Sequence, residues 1–135
     1  FASIYPVPGH EKKLEAAILK PHPHFECWRK GDIPARLHYG ANPRIPPYFC
    51  LAESGWLIDK TAPAEASTGG AHGYDNATPD MAALFIANGP AIRRGISVKP
   101  GFDNVDVYPV LTRLLGLPDR RTDGGRAALA ALRAP

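Results

Sequence analysis

The chain has 135 residues, 44% of them hydrophobic and 21% charged, with a formal net charge of +3. That length supports one domain with a real core, able to bury roughly 68% of its unfolded surface, and the composition is globular rather than disordered or fibrous. Arg93-Arg94 and Arg120-Arg121 are isolated pairs rather than a basic stripe, which argues against a nucleic-acid-specific surface, and no apolar run approaches the ~20 residues of a membrane-spanning helix.

The chain begins at Phe1 rather than Met and enters at once what reads as a strand, which suggests a fragment whose start has been removed. Phe1 to Val7 alternates in part and is rich in strand formers, and Pro8-Gly9 breaks it. His10 to Lys20 has helical periodicity, with Leu14, Ala17 and Ile18 on one face, and Pro21 stops it. Phe25 to Lys30 predicts a short strand, and Gly31-Asp32 a turn. Pro34 to Tyr39 predicts a short helix opened by proline in its first turn. Ala41 to Pro47 is a proline-rich loop. Tyr48 to Glu53 predicts a buried strand, Ser54-Gly55 a tight connection, and Trp56 to Asp59 the returning strand of a hairpin. Lys60 to Gly70 is small, polar and proline-containing, and reads as a mobile loop.

Met81 to Ala87 is strongly apolar and predicts a strand, closed by Asn88-Gly89-Pro90. Asp103 then caps a predicted helix from Asn104 to Leu115, with Val107, Val110, Leu111 and Leu114 as its core stripe. Pro109 inside that pattern makes the first turn irregular, and Gly116 and Pro118 end the helix. Asp119 to Gly125 is polar and loose, and Arg126 to Arg133 predicts a short terminal helix. The alternation of strands and helices favours the α/β class. Trp28 and Trp56 are expected to supply buried area.

Cys27 and Cys50 are the only cysteines. Each lies in a predicted strand, so they read first as two small buried hydrophobes. A disulfide is the other reading, and sequence alone cannot bring the sulfurs together. The absence of a Cys-x-x-Cys pattern excludes a zinc ribbon.

Among five histidines, His10 fits a helix first turn, His22 and His24 flank Pro23 in a surface turn, and His38 reads as a packed residue with a satisfied hydrogen bond. His72 differs. It lies in Gly69-Gly70-Ala71-His72-Gly73-Tyr74-Asp75-Asn76, where glycines give the backbone freedom and leave the ring little steric cover. Such a histidine can offer a ring nitrogen to a metal, with Asp75 or Asn76 as candidates to hold the other nitrogen. Zinc needs about three or four protein ligands, so the rest must come from elsewhere. There is no Gly-x-Ser-x-Gly elbow, P-loop or dinucleotide fingerprint.

Several short segments together carry a family resemblance. They are Ile33-Pro34-Ala35-Arg36-Leu37-His38-Tyr39, Arg44-Ile45-Pro46-Pro47, Glu53-Ser54-Gly55-Trp56-Leu57-Ile58 and Gly70-Ala71-His72-Gly73-Tyr74-Asp75-Asn76. Phe85-Ile86-Ala87-Asn88-Gly89-Pro90-Ala91, Val105-Asp106-Val107-Tyr108-Pro109 and Leu114-Leu115-Gly116-Leu117 follow. In that order and spacing the chain resembles the C-terminal part of the nucleotide pyrophosphatase/phosphodiesterases of the alkaline phosphatase superfamily. The resemblance covers most of Ile33 to Pro118, and each segment alone is weak.

The resemblance implies an α/β fold, the C-terminal part of an alkaline phosphatase-like α/β/α sandwich that is incomplete on its own. Residues 1–135 would be the C-terminal portion of a single catalytic domain. The family hydrolyses phosphodiester and pyrophosphate bonds, typically releasing nucleoside monophosphates, with two zinc ions and a threonine nucleophile. His72 matches one of the histidine ligands of one zinc. The nucleophile and the other ligands would lie in the upstream half, the implied partner of this chain together with a nucleotide or phosphodiester substrate. Thr61, Thr68 and Thr78 do not sit in the nucleophile context. A periplasmic or extracellular location follows by the same analogy. Two alternatives stand beside this reading: another superfamily hydrolase, phosphonoacetate hydrolase-like or phospholipid-cleaving, and a non-catalytic α/β module that binds a partner.

Overall fold

Tyr48-Phe49-Cys50-Leu51-Ala52 is apolar throughout, and in the computed structural model it forms the middle strand of an antiparallel sheet. The structure describes residues 1–61 and 68–132. The first strand, β1, runs Ala2–Ile4, β2 runs Phe25–Arg29 and β3 runs Tyr48–Ala52, in the spatial order β1-β3-β2. Both neighbours pair antiparallel to β3, with Ser3 opposite Phe49 and Cys27 opposite Cys50. Alternate residues of β3 face opposite sides of the sheet, and Phe49 gathers Phe1, Trp28 and Tyr39 around it on one side. Cys27 and Cys50 are bonded to each other. They are buried, as expected, but as a cross-strand disulfide rather than as two free hydrophobes.

The helix α1, Glu11–Ile18, is built from good helix formers with Glu11 favourably placed in its first turn. Leu14 and Ile18 are half-buried, whereas Ala17 is exposed. Its Glu15 accepts hydrogen bonds from Arg29 and from the Tyr48 hydroxyl, which fixes α1 to both β2 and β3. The Pro34–Tyr39 helix reduces to a single 3-10 turn, Ala35–Leu37.

The hairpin expected of Trp56 to Asp59 does not form. Both edges of β3 are taken by β1 and β2, so no ladder is left for a returning segment. Trp56 is half exposed and stacks on His24 instead, at 3.5 Å between ring centroids. The loop predicted for Lys60 to Gly70 lies largely outside the described residues.

The chain divides into two units, Phe1–Ala83 and Leu84–Pro135. The second is helical among the described residues. A 3-10 turn, Asn104–Asp106, leads directly into α2, Val107–Leu114. Pro109 has no N–H to give, so the irregular first turn falls where expected. Asp103 makes no side-chain cap; its carbonyl accepts the Asp106 N–H. At the other end Gly116 takes φ +64°, Leu117 N–H reaches the Thr112 carbonyl at 2.9 Å and Gly116 N–H the Arg113 carbonyl at 3.3 Å, a Schellman ending that needs a residue without Cβ strain. The third helix, α3, is Ala127–Leu132. Val110, Ala128 and Leu132 form the core of this unit, with Val98, Phe102 and Leu129 against them.

Two expectations fail in the second half. The predicted core stripe of α2 is only partly used: Val110 is buried, but Leu111 and Leu114 are 49% and 44% exposed, and Thr112 is buried in their place. Met81 to Ala87 is not a strand. It leaves the 3-10 turn Pro79–Met81 without ladder partners, and Leu84 and Ile86 are 86% and 79% exposed. A strand needs a neighbour to bond, and an apolar run without one stays irregular.

Candidate functional site

The loop around His72 contains no helix or strand. Side-chain tethers therefore hold it. Gly73 adopts φ +85°, and a Cβ built there would lie 2.6 Å from the ring of Phe1. Only glycine meets both demands. The Phe1 ring lies in turn 5.9 Å from that of Phe49 on β3, so this tether ends in the sheet.

The second tether is Asp75. Its two oxygens accept a fork of hydrogen bonds from Arg36, at 2.9 Å from Nη1 to Oδ1 and 2.6 Å from Nη2 to Oδ2. Oδ1 also accepts the Ala77 N–H at 2.9 Å. The Asp75 carbonyl accepts the Thr78 N–H and the Thr78 hydroxyl, at 3.0 and 2.7 Å. The Arg36 guanidinium, helped by the Ala77 amide, holds the Asp75 carboxyl below its ordinary pKa, and Asp75 in return raises that of Arg36. Paired forks of this kind are the stronger class of ion pair.

Arg36 is itself well anchored. Its 3-10 turn follows the buried Ile33 and closes with His38 in the left-handed region, at φ 48° and ψ 35°. Gly40 beyond it packs so closely that a Cβ would lie 2.8 Å from the Lys30 carbonyl oxygen. His38 is exposed, not packed as its sequence context implied.

His72 is exposed, and neither of its ring nitrogens is hydrogen-bonded to a described residue. Asp75, weighed as its orienter, is committed to Arg36, and Asn76 is exposed with no side-chain bond to His72 among the described residues. An exposed imidazole with both nitrogens uncommitted fits the donor chemistry of a zinc ligand. It fits one position only. Among the described residues no three His, Cys, Asp or Glu side chains come together as a metal site.

Three of the other histidines make side-chain contacts among the described residues, whereas His38 is exposed and its ring, like that of His72, has no hydrogen-bond partner there. His10 Nδ1 lies 3.3 Å from the Pro8 carbonyl. His22 stacks on Phe25 at 4.1 Å, with its Nε2 buried and without a partner. His24 lies 3.0 Å from Glu53 and against Trp56. This His24–Glu53–Trp56 group escaped the sequence reading, because Trp56 was expected to be buried and because its members are joined only by folding. Thr78 is spent on the Asp75 carbonyl. Beside the Arg36–Asp75 pair runs a groove of about 660 Å³, lined also by Leu19, Trp28 and Ser54.

Residues 2–75 match the family model for type I phosphodiesterase / nucleotide pyrophosphatase. Ectonucleotide pyrophosphatase/phosphodiesterase family member 5 of Homo sapiens is 38% identical over 116 residues, which are 86% of this chain and 24% of that protein. A bis(5'-adenosyl)-triphosphatase of Xenopus laevis is 37% identical over 123 residues, 91% of this chain and 26% of that protein. Among solved structures, murine ectonucleotide pyrophosphatase/phosphodiesterase 5, in an inactive threonine-to-alanine form in complex with AMP, superposes with a TM-score of 0.84 at 32% identity. That match covers 98% of this chain and 35% of the other. The fold is thus part of an alkaline phosphatase-like α/β fold. The chain spans about a quarter of the length of these curated relatives.

Proposed function

The chain belongs to the type I phosphodiesterase / nucleotide pyrophosphatase family, and we propose that residues 1–135 are the C-terminal portion of one zinc-dependent catalytic domain. That domain hydrolyses phosphodiester and pyrophosphate bonds of nucleotides and releases nucleoside monophosphates. The observation that carries the reading is His72: an exposed imidazole with neither nitrogen bonded to a described residue, on a glycine loop tethered at Gly73 and Asp75, inside the family-matched region.

In this reading His72 is one ligand of one of two zinc ions. His72 would hold one such ion, and the zinc would supply neutralisation of the charge that develops at phosphorus. This chain's own residues present the imidazole: Gly73 lets the loop lie against Phe1, and Arg36 holds Asp75, three residues beyond His72. The nucleophile is a threonine of the upstream portion. Phosphoryl transfer draws on such positioning more than on further covalent machinery. The buried Cys27–Cys50 disulfide supports a periplasmic or extracellular site of action, where such bonds persist.

The test is His72→Ala in the full-length protein, with zinc counted by elemental analysis and turnover measured on a nucleotide phosphodiester. One zinc is lost, and activity falls by more than the about 10- to 100-fold that losing an outer-shell partner costs. Full zinc occupancy with unchanged turnover would overturn the assignment.

A further inference from the structure

We infer that Arg36 is a positioning residue: through its fork onto Asp75 it sets where the His72 loop stands and so tunes how tightly this chain grips its metal. The inference rests on the reading of His72 as a ligand. Three observations carry it. The stretch from Gly70 to Tyr74 has no backbone ladder of its own. Gly73, the residue after His72, lies against the Phe1 ring. Asp75, three residues beyond His72, takes both Arg36 bonds and the Ala77 amide on its carboxylate while its carbonyl takes Thr78.

Arg36 stands on a 3-10 turn braced by Leu37 N–H to the Pro34 carbonyl at 2.9 Å and His38 N–H to the Ala35 carbonyl at 3.0 Å, next to buried Ile33. A lone exposed ion pair contributes little to stability. The role here is geometric: a planar fork fixes direction as well as distance, which a single ammonium does not. Asp75 serves His72 after all, by holding the loop rather than by touching the ring.

The test uses the full-length protein and the variants Arg36→Ala, Arg36→Lys, Asp75→Asn, the Arg36→Ala/Asp75→Asn double variant and His72→Ala. Zinc affinity is read by competition with a chromogenic chelator, and the melting temperature of the metal-free protein is read beside it. Arg36→Ala and Asp75→Asn each weaken zinc binding by about 10-fold, the lower end for loss of an outer-shell partner. Arg36→Lys falls between them and the parent. The double variant loses no more than either single change, because the two side chains form one device. Metal-free melting temperatures stay close to that of the parent, so the weaker zinc binding does not come from a general loss of stability.

Parental zinc affinity in Arg36→Ala, or a double variant that loses the product of the single effects, overturns the inference. If Arg36→Ala does not fold, Arg36→Lys and Asp75→Asn decide the matter by the same criteria. If His72→Ala keeps all its zinc, the ligand assignment falls and this inference with it. If His72→Ala loses zinc while the Arg36 variants bind normally, only the positioning role falls.

Discussion

Glu15 lies in the middle of α1 and joins three elements. Arg29 donates to it from Nε and Nη2, both at 2.7 Å, and the Tyr48 hydroxyl donates at 2.9 Å. The Arg29 fork first, then the tyrosine bond, lowers the Glu15 pKa from its ordinary 4.5 to about 2. A depressed acid stabilises the fold only while ionised. Its contribution is complete above pH 4.5 and is lost as the pH falls toward about 2. Acid unfolding followed by circular dichroism should therefore show a loss of stability across that window, and Glu15→Gln should flatten it. An identical acid limb in that variant would show that Glu15 carries none of the effect. At this scale the sequence was legible where chemistry is local. The glycines around His72 announced an accessible imidazole. The partner of Asp75 was not legible, because Arg36 lies 39 positions earlier.

Among the elements, β3 was foreseen from its unbroken apolar run, but its place between β1 and β2 was not. That placement excludes the Trp56 hairpin, and it sets Cys27 directly across from Cys50. At a sequence separation of 23, the cysteines close a loop whose removal from the unfolded ensemble is worth about 3 kcal/mol. A Cys27→Ala/Cys50→Ala variant should unfold at lower denaturant by about that amount. An unchanged midpoint, insensitive to reductant in the parent, would mean that the bond is not formed. The period of α2 was equally plain, yet only Val110 of its stripe is buried. Thr112 goes inward because its hydroxyl can bond the Pro109 carbonyl, at 3.1 Å.

For the molecule as a whole, Leu84, Ile86, Leu111, Leu114 and Leu115 remain exposed, and the chain covers 35% of a solved relative that it otherwise follows closely. Exposed apolar surface on this scale marks an interaction site or an aggregation liability. Expressed alone, the 135-residue chain should hold no stoichiometric zinc after buffer exchange, hydrolyse no nucleotide phosphodiester and self-associate. Elemental analysis, an activity assay and sedimentation measure these three. Tight zinc in the isolated chain would show that it builds a site from its own residues.

The sequence by itself determined the α/β class, the family and most element positions, and it singled out His72 by its glycine loop. Those properties rest on short-range causes: residue periodicity, glycine and proline at chain reversals, and ordered motifs. Tertiary structure decided the strand order, the disulfide, the exposed face of α2 and the Arg36–Asp75 clamp. Each of these joins groups far apart in the chain, and only packing determines which distant groups meet.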